Sequence, residues 1–298
     1  MEGVLFKYGD QPAHVAFLSG GAARRHLVLV GGFGDGLLSL PYAPALAACL
    51  PPAGWALVQA QLRSSYGGYG TASLDADAED LFLLLSTLAQ KHGSTGAVVM
   101  GSSTGCQDAA RLAARFLDQD GGAAQSRAAP LLGTVLQAPV SDREWLSTAA
   151  EQLAPMAAAA AAAVAAGRGE DIVGRLDLLD GAPITARRFA SLTARLGDDD
   201  MFSSDLSDDE LRARLAPLGA VGPAFILRSA SDECVRIDAA AADAMGRRIA
   251  AAAGGADLVV LDGAPHDCAG HEGAVAAAVL DFLRRRFPAG APGQIGSN

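Results

Sequence analysis

Three side chains in this sequence have the types and order needed to share one reaction: Ser103, Asp232 and His266. Ser103 is the centre of Gly101-Ser102-Ser103-Thr104-Gly105. A short apolar run, Ala97 to Met100, enters this G-x-S-x-G, and a helical pattern, Cys106 to Leu117, leaves it. A turn that tight has no room for side chains at its flanks, so glycine is required at 101 and 105. The serine between them is expected to be held in a strained conformation, its hydroxyl raised above a sheet. The amino end of the following helix faces the same point and favours negative charge there.

A serine hydroxyl is a poor nucleophile at neutral pH. It needs a base for its proton, a group to orient that base, and donors for the oxyanion that forms. The chain has five histidines: His14, His26, His92, His266 and His271. His14 and His26 fall in early strand patterns, and His92 ends a helical one. His266 follows the last strand pattern in Val260-Leu261-Asp262-Gly263-Ala264-Pro265-His266, where a loop can fold an imidazole over the middle of a sheet. His271 is the rival, but it sits where the last helix begins. The acid belongs between serine and histidine in chain order. Asp232, in Arg228-Ser229-Ala230-Ser231-Asp232-Glu233-Cys234, meets that requirement, with Glu233 and Asp262 as alternatives.

Two backbone N–H groups should receive the oxyanion. Thr104 supplies one. The other is assigned to Phe33, in the Gly-rich turn Gly31-Gly32-Phe33-Gly34-Asp35-Gly36. This turn does not spell a phosphate-binding G-x-x-x-x-G-K-[ST], nor a dinucleotide fingerprint with its acid. Ser64-Ser65-Tyr66-Gly67-Gly68-Tyr69-Gly70 is a further loop that would border the pocket, with Tyr66 and Tyr69 as candidate substrate contacts.

These residues must be positioned by a scaffold, and the hydrophobic pattern supplies one. Eight strands are predicted: Val4–Lys7, His14–Leu18, His26–Val30, Ala56–Ala60, Ala97–Met100, Gly133–Gln137, Ala224–Arg228 and Asp257–Leu261. The last six are apolar runs of the kind found in strands buried on both faces. Helical patterns at Tyr42–Leu50, Leu74–Gln90, Cys106–Leu117, Ala239–Ala252 and Gly273–Arg286 alternate with them. The alternation predicts an α/β fold: a mostly parallel sheet with helices on both faces and an antiparallel edge from the first two strands.

Residues 141–218 interrupt this rhythm with no clear strand. Helices are expected at Trp145–Ala166 (with the alanine tract Ala157–Ala163), Pro183–Leu196 and Ser207–Leu215. The segment carries 14 acidic residues against eight arginines. We read it as a helical cap above the carboxyl ends of the strands, where such folds bind ligands. The expected core is then 1–140 with 219–288, and 289–298 a disordered tail.

Bulk properties narrow the functional class. The 298 residues are half hydrophobic, with net charge −10 and pI near 4.9. That balance argues against nucleic-acid or anionic-membrane partners. No apolar run reaches the length of a membrane span. The start, MEGVLFKYGDQ, has neither the layout of a secretory signal nor that of a transit peptide. Four cysteines without framework spacing predict reduced thiols and a cytoplasmic protein. Cys234 and Cys268 flank the two catalytic turns, and a disulfide between them would need Cα atoms within about 7 Å. His266, Asp267, Cys268 and His271 are clustered in sequence but match no common metal motif, so neither metal nor cofactor is expected.

The ordered set of Gly-rich turn, Ser103, Asp232 and His266 resembles the α/β-hydrolase superfamily. More narrowly, the chain is similar to a fungal, algal and plant family of α/β-hydrolases formerly labelled a domain of unknown function. The matching pieces are GGFGDGL at 31–37, SSYGGYGTASLD at 64–75, GSSTGCQD at 101–108, LQAPVSDRE at 136–144, PITARRF at 183–189 and GDDDMFSSDLSDDEL at 197–211. The family pattern has histidine where this chain has Ser102. The resemblance implies an α/β-hydrolase fold and a serine esterase acting through an acyl-enzyme on a small-molecule ester. In filamentous fungi a member opens ester bonds of hydroxamate siderophores such as fusarinine C. Two other classes are weighed against this: a catalytically idle small-molecule-binding protein on the same scaffold, and metal-dependent hydrolysis.

Overall fold

The computed structural model describes residues 1–21, 23–118, 128–177 and 181–288. Eight strands form one sheet: β1 (Val4–Lys7), β2 (Val15–Ser19), β3 (Arg25–Val30), β4 (Trp55–Gln61), β5 (Gly96–Ser102), β6 (Leu131–Gln137), β9 (Ala224–Ser229) and β10 (Asp257–Leu261). Their order is β1-β2-β4-β3-β5-β6-β9-β10. β1 and β2 pair antiparallel with Leu5 opposite Phe17, β2 joins β4 antiparallel, and every pairing from β4 to β10 is parallel. This is the α/β-hydrolase fold. All its parallel strands end on one side, so the turns after β3, β5, β9 and β10 converge there.

The two faces of the sheet are covered by separate apolar clusters. On one face lie α2 (Leu74–His92), α3 (Gly105–Leu117), α7 (Asp208–Val221) and α8 (Ala239–Ala252), through side chains such as Leu81, Leu112, Leu215 and Ile249. On the other, α1 (Ala43–Cys49) and α9 (Glu272–Arg286) bury Leu46, Val279 and Phe282. The helix limits are written in the sequence. Ser73 accepts a bond from the Ala76 N–H at the start of α2, and Gly93 closes it in the left-handed region. Ser207 and Glu210 form a reciprocal capping box at the start of α7.

β3 to β6 are buried on both faces, which explains their unbroken apolar runs. β10 differs from its sequence expectation. It is an edge strand, and Val259 and Val260 are exposed. Apolar character alone does not distinguish a central strand from one with a single neighbour.

Between β6 and β9 lie α4 (Asp142–Ser147), α5 (Ala150–Ala165), β7 (Ile172–Arg175), β8 (Pro183–Thr185), α6 (Ala186–Thr193) and α7. Leu146, Leu153, Ile184, Phe189 and Leu192 form a third apolar cluster here, whereas Met201, Phe202, Leu211 and Leu218 pack into the main core. Two expectations fail in this segment. Pro183–Thr185 is not helical but pairs antiparallel with Ile172–Arg175. The β-branched residues on both sides of the connection favour this ribbon, which is too short to show a period. The helix expected over Trp145–Ala166 is two helices. It breaks at Thr148–Ala149, where the Thr148 hydroxyl donates back to the Trp145 carbonyl. The tail expected at 289–298 lies outside the described residues. Among the described residues no helix is long and apolar enough to cross a membrane.

Candidate active site

Ser103 sits between β5 and α3 with φ of 54°, a left-handed conformation that is costly for a non-glycine residue, about 1–3 kcal/mol. Neighbours hold it there. Its N–H donates to the Gln137 carbonyl at 2.9 Å, and its own carbonyl accepts from Cys106 N–H at 2.9 Å. Glycine is required on both sides. A Cβ at Gly101 would lie 2.0 Å from the Gly105 carbonyl oxygen, and one at Gly105 would lie 2.7 Å from the carbonyls of Val30 and Gly31. The strain is therefore fixed by β3, β5 and β6 together.

The turns after β9 and β10 bring the other two residues to Ser103. His266 Nε2 lies 2.9 Å from Ser103 Oγ, and Nδ1 lies 2.9 Å from each Asp232 carboxylate oxygen. The two turns are tied through Ala230 N–H to the Leu261 carbonyl and Ser231 N–H to the Ala264 carbonyl. Burial of His266 works against its charged form. Hydrogen bonding and charge from Asp232 and Cys234 outweigh that and hold its pKa above the ordinary histidine value.

Thr104 follows Ser103 in the chain, Phe33 lines the same cavity as the serine, and neither backbone N–H donates to a protein acceptor among the described residues. The Gly-rich turn is shaped by Asp35, whose carboxylate accepts from Gly32 N–H at 2.7 Å. Gly32 itself was not singled out in the sequence. A Cβ there would meet Ser103 Cβ at 2.7 Å, so the turn can approach the serine only without a side chain at 32.

Gln137 is the other residue that sequence reasoning missed. It ends β6, and nothing in an apolar run followed by glutamine marks it. Its Oε1 accepts from Ser102 Oγ at 2.5 Å and Tyr42 OH at 3.0 Å, and its Nε2 donates to the His266 carbonyl at 2.8 Å. The His266 N–H donates to Glu233 at 2.9 Å. Both backbone polar groups of His266 are thus clamped, one from beneath and one from the acid turn. Ser102 and Glu233 serve this frame, and of the three candidate acids it is Asp232 that bonds the imidazole.

A cavity of about 260 Å³ opens above Ser103, walled by Phe33, Leu40, Val140, Asp142, Trp145, Cys234 and His266. Asp142 and Trp145 come from α4. Tyr66 and Tyr69 do not line it. Tyr66 is half-exposed, with its hydroxyl accepting from Leu37 N–H, and Tyr69 is buried against the Phe33 ring at 5.2 Å between centroids. Behind the Gly-rich turn, buried Arg188 of α6 makes two bonds to the Asp199 carboxylate and one to the Tyr69 carbonyl. Its guanidinium lies 6.0 Å from the Phe33 ring. Three more carboxyls are buried nearby. Burial pushes Asp77 up to about 7 and lifts Asp108 and Asp142 well above the carboxylate range.

The remaining candidates lie elsewhere. His14 pairs with Asp80, His26 with Ser94, and His92 packs on Phe6. His271 stands half-buried at the start of α9 without a side-chain capping bond, and Asp262 has no part in the His266 contacts. The set His266, Asp267, Cys268 and His271 does not gather as ligands among the described residues: Asp267 caps the Ala269 N–H, and Cys268 turns inward to Gln137 and Ser229. All four cysteines are free, so no bond joins Cys234 to Cys268.

Residues 1–283 match the family described as "Protein of unknown function (DUF1749)". The chain is 34% identical over 203 residues to a UPF0613 protein of Schizosaccharomyces pombe, a match covering 65% of this chain and 61% of that protein, less than two thirds of its length. It is 31% identical over 252 residues to the fusarinine C esterase sidJ of Aspergillus fumigatus, covering 71% of each. Among solved structures, the siderophore hydrolase EstB from Aspergillus fumigatus superposes with a TM-score of 0.74 at 26% identity, covering 97% of this chain and 98% of that one.

Proposed function

The chain belongs to the DUF1749 family, and from that premise we propose that it is a serine esterase acting on a small-molecule carboxylic ester. The observation that carries this reading is the Ser103–His266–Asp232 relay, with 2.9 Å at each step. Ser103 Oγ attacks the ester carbonyl while His266 Nε2 takes its proton. The Phe33 and Thr104 N–H groups receive the oxyanion. His266 then returns the proton to the leaving alcohol, and water hydrolyses the acyl-enzyme by the same route in reverse. Asp232 fixes one proton of His266 on Nδ1, so once the ring has given up its second proton Nε2 is free as the base.

Substrate choice falls to the segment 141–218, through Asp142 and Trp145 at the cavity wall. The names of the relatives make siderophore esters, fusarinine C first, the leading members of a test panel. Four free thiols fit a reducing cytoplasmic setting.

Labelling with a fluorophosphonate probe, followed by an ester panel of varied acyl length, tests the reading. Wild-type protein should label and turn over esters, and Ser103→Ala should do neither. Labelling that persists in Ser103→Ala would defeat the assignment. Tight ligand binding by wild-type protein without any turnover would favour a binding protein instead.

A further inference from the structure

The Asp232 turn does more than hold a carboxylate beside His266. Cys234 N–H donates to Asp232 Oδ1 at 2.9 Å, which folds the chain back so that the thiol of residue 234 returns to the relay. One ligand-capable atom from each of Asp232, Cys234 and His266 then lies within 4.8 Å of the other two. Cys234 and His266 also wall the cavity above Ser103, so the cluster is open to solutes. The other thiol nearby, Cys268, is buried and engaged by Gln137 and Ser229.

A thiolate, an imidazole and a carboxylate make a mixed S, N, O donor set suited to a borderline-soft d¹⁰ cation. We propose that Asp232, Cys234 and His266 form a reversible inhibitory site for a zinc-class divalent cation. The inhibition rests on the esterase reading given above; the binding does not. On binding, the Cys234 S–H loses its proton to solvent and its sulfur bonds to the metal. An Asp232 oxygen and one ring nitrogen of His266 complete three protein ligands, which leaves a fourth position for water. Either ring nitrogen gives the same outcome. If Nε2 is the ligand, its lone pair is no longer available to Ser103. If Nδ1 is the ligand, the single proton of the neutral ring sits on Nε2, which then cannot accept another. The metal therefore switches off the base without touching the serine.

Cadmium titration of the intact protein, read by the ultraviolet thiolate-to-cadmium charge-transfer band, tests binding. Zinc titration of ester hydrolysis, with reversal by a chelator, tests inhibition. Wild type and Cys268→Ser should show the band and be inhibited. Cys234→Ser and Cys234→Ala, each referred to its own metal-free activity, should lose the band. They should also need at least about tenfold more zinc, a loss that even indirect metal contacts produce. A band that survives in both Cys234 variants, no band in wild type, or equal zinc sensitivity throughout would each overturn the proposal. If the protein hydrolyses no ester, the cadmium titration still decides the metal site. If it hydrolyses esters but binds no cadmium, only this proposal fails.

Discussion

At the scale of single residues, the site depends on atoms that do no chemistry. Gln137 ties the Ser102 hydroxyl, the Tyr42 hydroxyl and the His266 carbonyl to one amide. Gln137→Ala leaves all three without that partner, at about 1–3 kcal/mol for each buried group left unsatisfied. The imidazole loses its lower clamp as well. Turnover should fall by about 10²-fold, the scale of a 1 Å misplacement, with a smaller change in KM. Steady-state kinetics beside a urea melt separate the two effects, and full activity in a destabilised variant would contradict the positioning role. Gly32→Ala acts differently. Its methyl group would push on Ser103 Cβ, so the Gly-rich turn must retreat. Activity should drop by a similar factor of about 10² while the fold remains, as circular dichroism and probe-labelling rate would report.

At the scale of elements, the strand–turn–helix around Ser103 is legible because every requirement is local: apolar entry, two glycines and a helical exit. Asp232 and His266 are legible because each follows a recognisable strand. Gln137 and Gly32 are not, since their importance lies in what other strands bring against them. The β7–β8 ribbon escapes notice for another reason, as seven paired-strand residues carry too little periodicity. The segment between β6 and β9 also hides its anchor. Arg188 reads as one of two arginines in Ala186-Arg187-Arg188-Phe189, yet it is the one buried on Asp199. Removing one partner of a buried ion pair costs about 3–5 kcal/mol. Arg188→Ala should therefore loosen α6 first, seen as new protease cleavage in the 141–218 segment below the main melting temperature. An unchanged cleavage pattern would show that the pair does not hold the segment.

For the molecule as a whole, the cluster of buried carboxyls sets a pH dependence. Burial lifts Asp77 from an ordinary 3.8 to about 7, and it raises Asp108 and Asp142 well above the ordinary carboxyl value too. The folded state thus binds more protons than the unfolded chain once pH exceeds the ordinary carboxyl value. Stability should fall as pH rises through that window, and the Asp77 share should level off above about 7. Urea unfolding at a series of pH values from 5 to 8 should show it, and Asp77→Asn should flatten part of the slope. A stability that climbs across the same range would reverse the sign of this account. The carboxyls themselves were visible as residues, but an acidic sequence reads as a solvated face until the fold turns it inward.

Arg188 reaches the Asp199 carboxylate, the Tyr69 carbonyl and the neighbourhood of the Phe33 ring at once. On the esterase reading, a shift in the roof segment 141–218 would reach, through Arg188, the turn that offers the Phe33 N–H to a developing negative charge. A roof transplanted from a cousin would carry its own pace along with its own taste.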